Sequence, residues 1–282
     1  MNDKTNKPAE AKEETAERLS RRQLERLAAS LSDRDRAILE ALQDSRFMTS
    51  KQISRQHFEL DHANPTAAQR AANRAMHKLR GHGLATTIYR RVGGVKGGSS
   101  GHVWALTPTG HRFLGLDSNA QPRKRNFEPS PRFVEHTLAV SELKVRLYSM
   151  DGIAVTTIQL EPHCWRSYNG RHGVRQQLKP DIYAVTSDGK YEDSWFFEID
   201  LNTEAPSRVL SKCEQYQEYY RSDAEQAKCG VFPRVVWIVP NAKRKTTLQN
   251  HIAGSSAMTV RQLFVFVLPD ELEALIRKGA GV

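Results

Sequence analysis

Leu178-Lys179-Pro180-Asp181 and, sixteen residues beyond Asp181, Glu198 within Trp195-Phe196-Phe197-Glu198-Ile199-Asp200-Leu201 decide the C-terminal half of this chain. Read as a strand, the second run alternates faces. Glu198 and Asp200 then point one way, ~7 Å apart at Cα, and Trp195, Phe197 and Ile199 point the other. Two carboxylates on an otherwise apolar strand are costly unless something compensates them. A divalent cation with oxygen ligands, joined by Asp181 from the strand expected over 177–185, is the economical explanation. Such a metal, Mg²⁺ or Mn²⁺, polarises a phosphate and activates water. A nearby lysine then steadies the nucleophile or the developing charge. The candidate metal ligands are Asp181, Glu198 and Asp200, with Lys212 completing the candidate catalytic set.

Working outward, the pattern predicts a helix over 206–221. On it, Arg208, Lys212, Gln215 and Tyr219 form a stripe beside Val209, Cys213, Tyr216 and Tyr220, so Lys212 leans over the sheet edge. A largely apolar helix is expected over 131–149, further strands over 153–160, 235–239 and 263–268, and helices near 243–252 and 270–277. This order describes an α/β unit with a mixed sheet flanked by helices, spanning 131–282. Its own apolar helix and strands make it a unit expected to fold alone. A basic, proline-containing stretch at 118–130, with Gln121-Pro122-Arg123-Lys124-Arg125, is the expected linker.

The N-terminal half reads differently. Residues 1–31 begin as a polar tail and end in a short amphipathic helix. Ser32 and Asp35 then have capping-box spacing, opening a helix with Ile38, Leu39 and Leu42 inward. A turn at Phe47–Ser50 leads to a second helix, through Ile53 to about Phe58. A third is expected from about Thr66, behind Pro65, to Leu79. It places Ala72, Ala75, Met76 and Leu79 on one face, Arg70, Arg74 and His77 on the opposite one, and Lys78 at the edge. Two β-like runs, 85–92 and 102–106, follow around a glycine-rich tip that carries Lys96 and is preceded by Arg90-Arg91.

Charge supports this division. The chain has a formal net charge of +10, and residues 51–125 hold thirteen basic against three acidic side chains. The segments on either side are balanced, so the whole excess sits in one block, an electrostatic footprint for a polyanion. Three helices followed by a basic hairpin is the order of a winged helix-turn-helix over 32–117. The expected DNA contacts are Arg70, Arg74, His77, Lys78, Arg90, Arg91 and Lys96. A helical adaptor with a long hairpin is the alternative.

Taken together, the motifs resemble a known family. Pro180-Asp181 and Glu198-x-Asp200 are similar to the core of the PD-(D/E)xK nuclease superfamily. Within it, His136-Thr137-Leu138-Ala139-Val140, Leu178–Asp181, Phe197–Glu204 and Lys212 with Tyr216 resemble the replication-relaxation family of plasmids and mobile elements. That resemblance spans about residues 32–270. It implies a winged helix joined to a restriction-endonuclease-like domain, and a role in plasmid replication and DNA relaxation. Where the superfamily motif ends in lysine this chain has Asp200, and the resemblance implies that a helix lysine, Lys212, takes that place. Two functions stay open: a metal-dependent nickase, or a non-catalytic DNA-binding factor of replication, transfer or transcription with a decayed site. Candidate partners are duplex DNA, the replication or transfer machinery and a second copy of the chain.

Other residues carry weaker signals. Glu135 and Glu142 share a face of the 131–149 helix, and His136 reads as a buried, hydrogen-bonded histidine. Tyr216 and Tyr220 read as core, and no His-x-His cradle for a tyrosine relaxase occurs. Three scattered cysteines exclude a disulfide framework, suit a reducing cytoplasm and match no zinc spacing. No apolar run reaches the ~18–20 residues of a membrane span.

Overall fold

The computed structural model describes residues 19–88, 101–117, 129–170 and 173–281. Arg90, Arg91 and Lys96, the 1–18 tail and most of the 118–130 linker lie outside them.

The N-terminal part opens with α1 (Arg21–Ser30) and α2 (Asp33–Ser45). Ser32 and Asp35 cap α2 reciprocally, the Asp35 amide donating to Ser32 Oγ at 3.2 Å and the Ser32 amide to Asp35 Oδ2 at 3.0 Å. A strand of two residues, β1 (Met48–Thr49), precedes α3 (Ser50–His57) and α4 (Pro65–Gly81). Asn64 caps α4 by accepting from the Ala67 amide at 2.9 Å. Ala68, Ala72, Met76 and Leu79 are buried, while Arg70, Arg74, His77 and Lys78 are exposed. Then come β2 (Ala85–Ile88), β3 (Val103–Leu106) and α5 (Pro108–Leu114). The sequence pattern expected a hairpin; the structure adds β1, giving a three-stranded sheet in the order β1-β3-β2. Trp104 fixes that third strand, its indole donating to Ser50 Oγ at 2.9 Å. Gly110 is required in α5, because a Cβ there would stand 2.1 Å from the Leu84 carbonyl oxygen.

The C-terminal part is built on a five-stranded mixed sheet. Its strands are β4 (Ala154–Leu160), β7 (Ile182–Ser187), β8 (Glu192–Ile199), β9 (Arg234–Ile238) and β10 (Phe264–Val267). The order is β10-β9-β8-β7-β4; β8, β9 and β10 are parallel, and β7 and β4 complete it antiparallel. The helices are α6 (Pro131–Tyr148), α7 (Pro206–Arg221), α8 (Ala224–Cys229), α9 (Ala242–Ala253) and α10 (Leu272–Lys278). One core, around Val209, Tyr216, Phe196 and Trp237, lies between the sheet and α7 and α9. The other, around Leu143, Leu147, Trp195 and Phe197, lies under α6 and α10.

Two expectations need correction. The single strand expected over 177–185 is broken at Pro180-Asp181, because proline has no amide to give to a ladder. Its first part is β6 (Arg175–Leu178), which pairs with β5 (Arg166–Asn169) as a separate two-stranded ribbon. Helix α6 also belongs to both halves. Val145 sits in the N-terminal core, and Val134 and Leu138 pack with Val103. Gln52 Nε2 donates to the Leu138 carbonyl and Ser141 Oγ to the Phe47 carbonyl, each at 2.9 Å. A fragment beginning at Pro131 therefore keeps α6 but strips one of its faces. Among the described residues, no helix is long and apolar enough to cross a membrane.

Candidate active site

Strand β8 carries Glu198 to the carboxyl end of the parallel strands, where open α/β sheets bind ligands. Alternation turns it away from Trp195 and Phe197, toward α7. Lys212, the seventh residue of α7, sends its ammonium to Glu198 Oε2 at 2.5 Å. One turn further along α7, the Tyr216 hydroxyl donates to Glu198 Oε1 at 2.6 Å. Glu198 is almost wholly buried, at 1% exposure. Burial raises its carboxyl to about 8, with neighbouring Asp181 adding to the rise and Lys212 and Tyr216 opposing it. Lys212 is raised as well: burial works against its charge, but the Glu198 and Asp181 carboxylates outweigh burial.

Asp181 is held from the other side. The break at Pro180 leaves it just ahead of β7, where its amide donates to the Phe197 carbonyl at 3.2 Å. Its Oδ2 accepts from the Ile199 amide at 2.7 Å and lies 3.3 Å from His136 Nε2 on α6. Burial pushes the Asp181 carboxyl up, but His136, Lys212 and the Ile199 amide pull it below its ordinary value. The hydrogen bond to Asp181 raises His136 in turn. Glu161, which contributes to the His136 shift, shares with His136 and Asp181 a cleft also lined by Asp44-Ser45-Arg46 at the end of α2.

Asp200 departs from the expectation. It faces the same side as Glu198, as alternation requires, and lines the same pocket as His136, Asp181, Glu198 and Lys212. Its carboxylate, however, is committed to Arg244 in the first turn of α9, with Nε to Oδ2 at 2.5 Å and Nη2 to Oδ1 at 3.1 Å. The Asn202 amide adds a bond to Oδ1 at 3.0 Å. Both partners are buried, at 6% and 2% side-chain exposure. A fork of this kind fixes the chain leaving β8 and leaves Asp200 little capacity for a cation. Among the described residues, no group of three or more His, Cys, Asp and Glu side chains is placed to hold a metal ion. A divalent cation at Asp181 and Glu198 would have to share Glu198 with the Lys212 ammonium and the Tyr216 hydroxyl, and would take its remaining positions from water and phosphate oxygens, as Mg²⁺ does.

The sequence pointed to Asp181, Glu198 and Lys212, which the fold brings together. It also pointed to Asp200, which the fold draws aside. Arg244 was missed, as were the contacts of His136 and Tyr216 with the carboxylates. For Tyr216 the signal was present, one turn from Lys212 on the same helix. For Arg244 there was none, because the pairing depends on how α9 docks.

In the N-terminal part, Arg70 and Arg74 project from α4 with His77, whose ring meets Trp104 edge-on at 6.3 Å. Lys78 is partly committed, its ammonium 2.7 Å from the buried carboxylate of Asp35. Glu142 is not a metal-facing group; Gln52 reaches it at 3.2 Å and Arg55 pairs with it.

No match was found among curated proteins or solved structures. The family model described as replication-relaxation matches residues 39–235, well over half of the chain. The matched stretch runs from α2 through α6 to the carboxylate-bearing strands and α7. The chain belongs to the replication-relaxation family.

Proposed function

We propose that this protein binds duplex DNA through its N-terminal part and nicks it at a centre formed by Asp181, Glu198 and Lys212. Family membership suggests a role in plasmid or mobile-element replication. The helices α2, α3 and α4 followed by an antiparallel sheet have the order of a winged helix. Helix α4, with Arg70 and Arg74 outward, is then the element for the major groove. The observation that carries the catalytic half is the reach of Lys212 to Glu198, with Asp181 beside it, at the carboxyl end of the parallel strands.

Asp181 and Glu198 would hold Mg²⁺ or Mn²⁺, which when bound polarises the scissile phosphate and lowers the pKa of water. Lys212 supplies a fixed positive charge where negative charge develops on the phosphate oxygens. Tyr216 and His136 hold the two carboxylates in place, and the Asp200–Arg244 pair anchors the chain behind them.

The test is conversion of supercoiled plasmid to open circles with and without Mg²⁺. Nicking is expected with the metal only, with Asp181→Asn and Lys212→Met each at least about a hundredfold slower. A second reading, a non-catalytic DNA-binding factor, is favoured by one observation: both oxygens of Glu198 and both of Asp200 already accept protein hydrogen bonds. Duplex binding without nicking in either Mg²⁺ or Mn²⁺ would select it.

A further inference from the structure

The β5–β6 ribbon has two unlike faces. Residues Arg166 to Asn169 pair with Leu178 to Arg175 in antiparallel register, and the Gly170 amide continues the ladder to the Val174 carbonyl at 2.9 Å. The back face is anchored. Arg166 meets the buried carboxylate of Glu225 at 3.0 Å, the Tyr168 ring lies 5.0 Å from that of Tyr219, and Leu178 is fully buried. Gly170 lets this face approach α7, since a Cβ there would come within 2.9 Å of Glu218 Oε1.

The front face carries Trp165, Ser167, Asn169, Arg175, Gln177 and Lys179. All are exposed except half-buried Trp165, over whose ring the Lys179 ammonium sits at 4.5 Å. None of the six is a carboxylate, although the chain outside residues 51–125 is balanced in charge. Two cations and three hydrogen-bonding side chains form a surface complementary to a polyanion bearing base edges, with the Trp165 ring, packed partly against the core, under the Lys179 ammonium. A two-stranded ribbon fits the major groove, where Arg, Asn and Gln match guanine and adenine edges. Serine and lysine suit phosphates. The ribbon also leads directly into the candidate centre, Lys179 standing two residues before Asp181.

We propose that the front face of the β5–β6 ribbon is a second DNA-contacting surface, which grips duplex DNA beside the strand presented to Asp181 and Glu198. This rests on the DNA-acting reading above, and adds a second anchor to α4. The protein would then hold DNA at two places, α4 and the ribbon.

The test uses the full chain and a mixed-sequence DNA duplex, followed by fluorescence anisotropy across a salt series. Arg175→Gln with Lys179→Gln is expected to make the log–log salt dependence shallower by about 0.9 for each phosphate no longer neutralised, or about 2 in all. Gln177→Glu, which places a carboxylate at the centre of the face, is expected to weaken binding roughly tenfold at low salt. These side chains are exposed, so the melting temperature should match that of the parent chain. Unchanged affinity and slope in the ribbon variants, while Arg70→Ala with Arg74→Ala weakens binding, would overturn the ribbon proposal and leave α4 as the DNA element. A parent chain that binds no duplex overturns both. Weakening of binding confined to an RNA duplex of the same sequence would also overturn the proposal, by assigning the ribbon to RNA.

Discussion

Asp200 and Arg244 illustrate how one residue can satisfy a sequence pattern and serve another purpose. Both are buried and joined by a two-pronged ion pair, with Arg244 Nη2 also donating to the Glu204 carbonyl at 2.8 Å. Removing one member of such a pair leaves an uncompensated buried charge, which costs about 3–5 kcal/mol, whereas replacing both with apolar residues is often close to neutral. Arg244→Ala is therefore expected to lower the unfolding free energy by about 3–5 kcal/mol in urea denaturation, and Asp200→Leu with Arg244→Met to recover most of it. Wild-type stability in Arg244→Ala would show that the pair is not structural and return Asp200 to the candidate ligands. At this scale the sequence was informative where chemistry follows from spacing. The positions of Asp181 and Glu198, and the helical stripe bearing Lys212, could be read from alternation and from the period of α7. The diversion of Asp200 could not, since its partner lies 44 residues away on a helix whose docking angle no local pattern encodes.

Among the elements, those with punctuation were the most legible. Helix α7 begins at Pro206 and ends at Arg221 as the pattern predicted, and α2 opens on its capping box. The ribbon was missed because Arg166–Asn169 and Arg175–Leu178 are mostly polar, so neither shows the alternation of a half-buried strand. Strand β1 was missed because two residues carry no period. The dual role of α6 was visible as an apolar surface wrapping most of the helix, but not which partner covers each side. This has a measurable consequence at the α3–α6 contact, where His57 is packed near Lys144 and Arg34. Burial, with those two cations, lowers the imidazole from its ordinary 6.5 to about 4, and its Nε2 has no hydrogen-bond partner. Between pH 6.5 and 4 the unfolded chain binds a proton that the folded chain refuses. Stability from this site is thus complete above about 6.5 and falls as pH drops toward 4. His57→Gln should flatten the acid side of a melting-temperature profile in that window. An unchanged slope relative to the parent would mean that His57 takes up a proton as readily in the fold as in the unfolded chain. By the same packing, the 131–282 fragment is expected to melt well below the full chain and to bind a hydrophobic dye, because Val134, Leu138 and Val145 lose their cover.

For the whole molecule, the proposed function requires the excess of ten positive charges in residues 51–125 to act together with a centre that begins about a hundred residues beyond α4. Phosphate neutralisation by that block is expected to dominate affinity. Arg70→Ala with Arg74→Ala should weaken duplex binding by roughly 2–5 kcal/mol if both reach base edges, each good base contact being worth about 1–3 kcal/mol. The path from this surface to the carboxylates runs through packed helices. Helix α3, which abuts α4, is tied to α6 through Gln52, Arg55 and Glu142, and α6 carries His136 to Asp181. The end of α2 forms one wall of the cleft beside those two residues. A linker alone would let the centre sample many positions along DNA, whereas a docked helix holds it at one distance from the bound site. If the protein nicks, its cuts on an end-labelled duplex should therefore cluster at one offset from the α4 footprint. Loosening the contact with Arg55→Ala and Glu142→Ala should scatter the cuts while leaving the footprint in place. Equally scattered cuts in the parent chain would show that the two parts move independently on DNA, despite their shared helix.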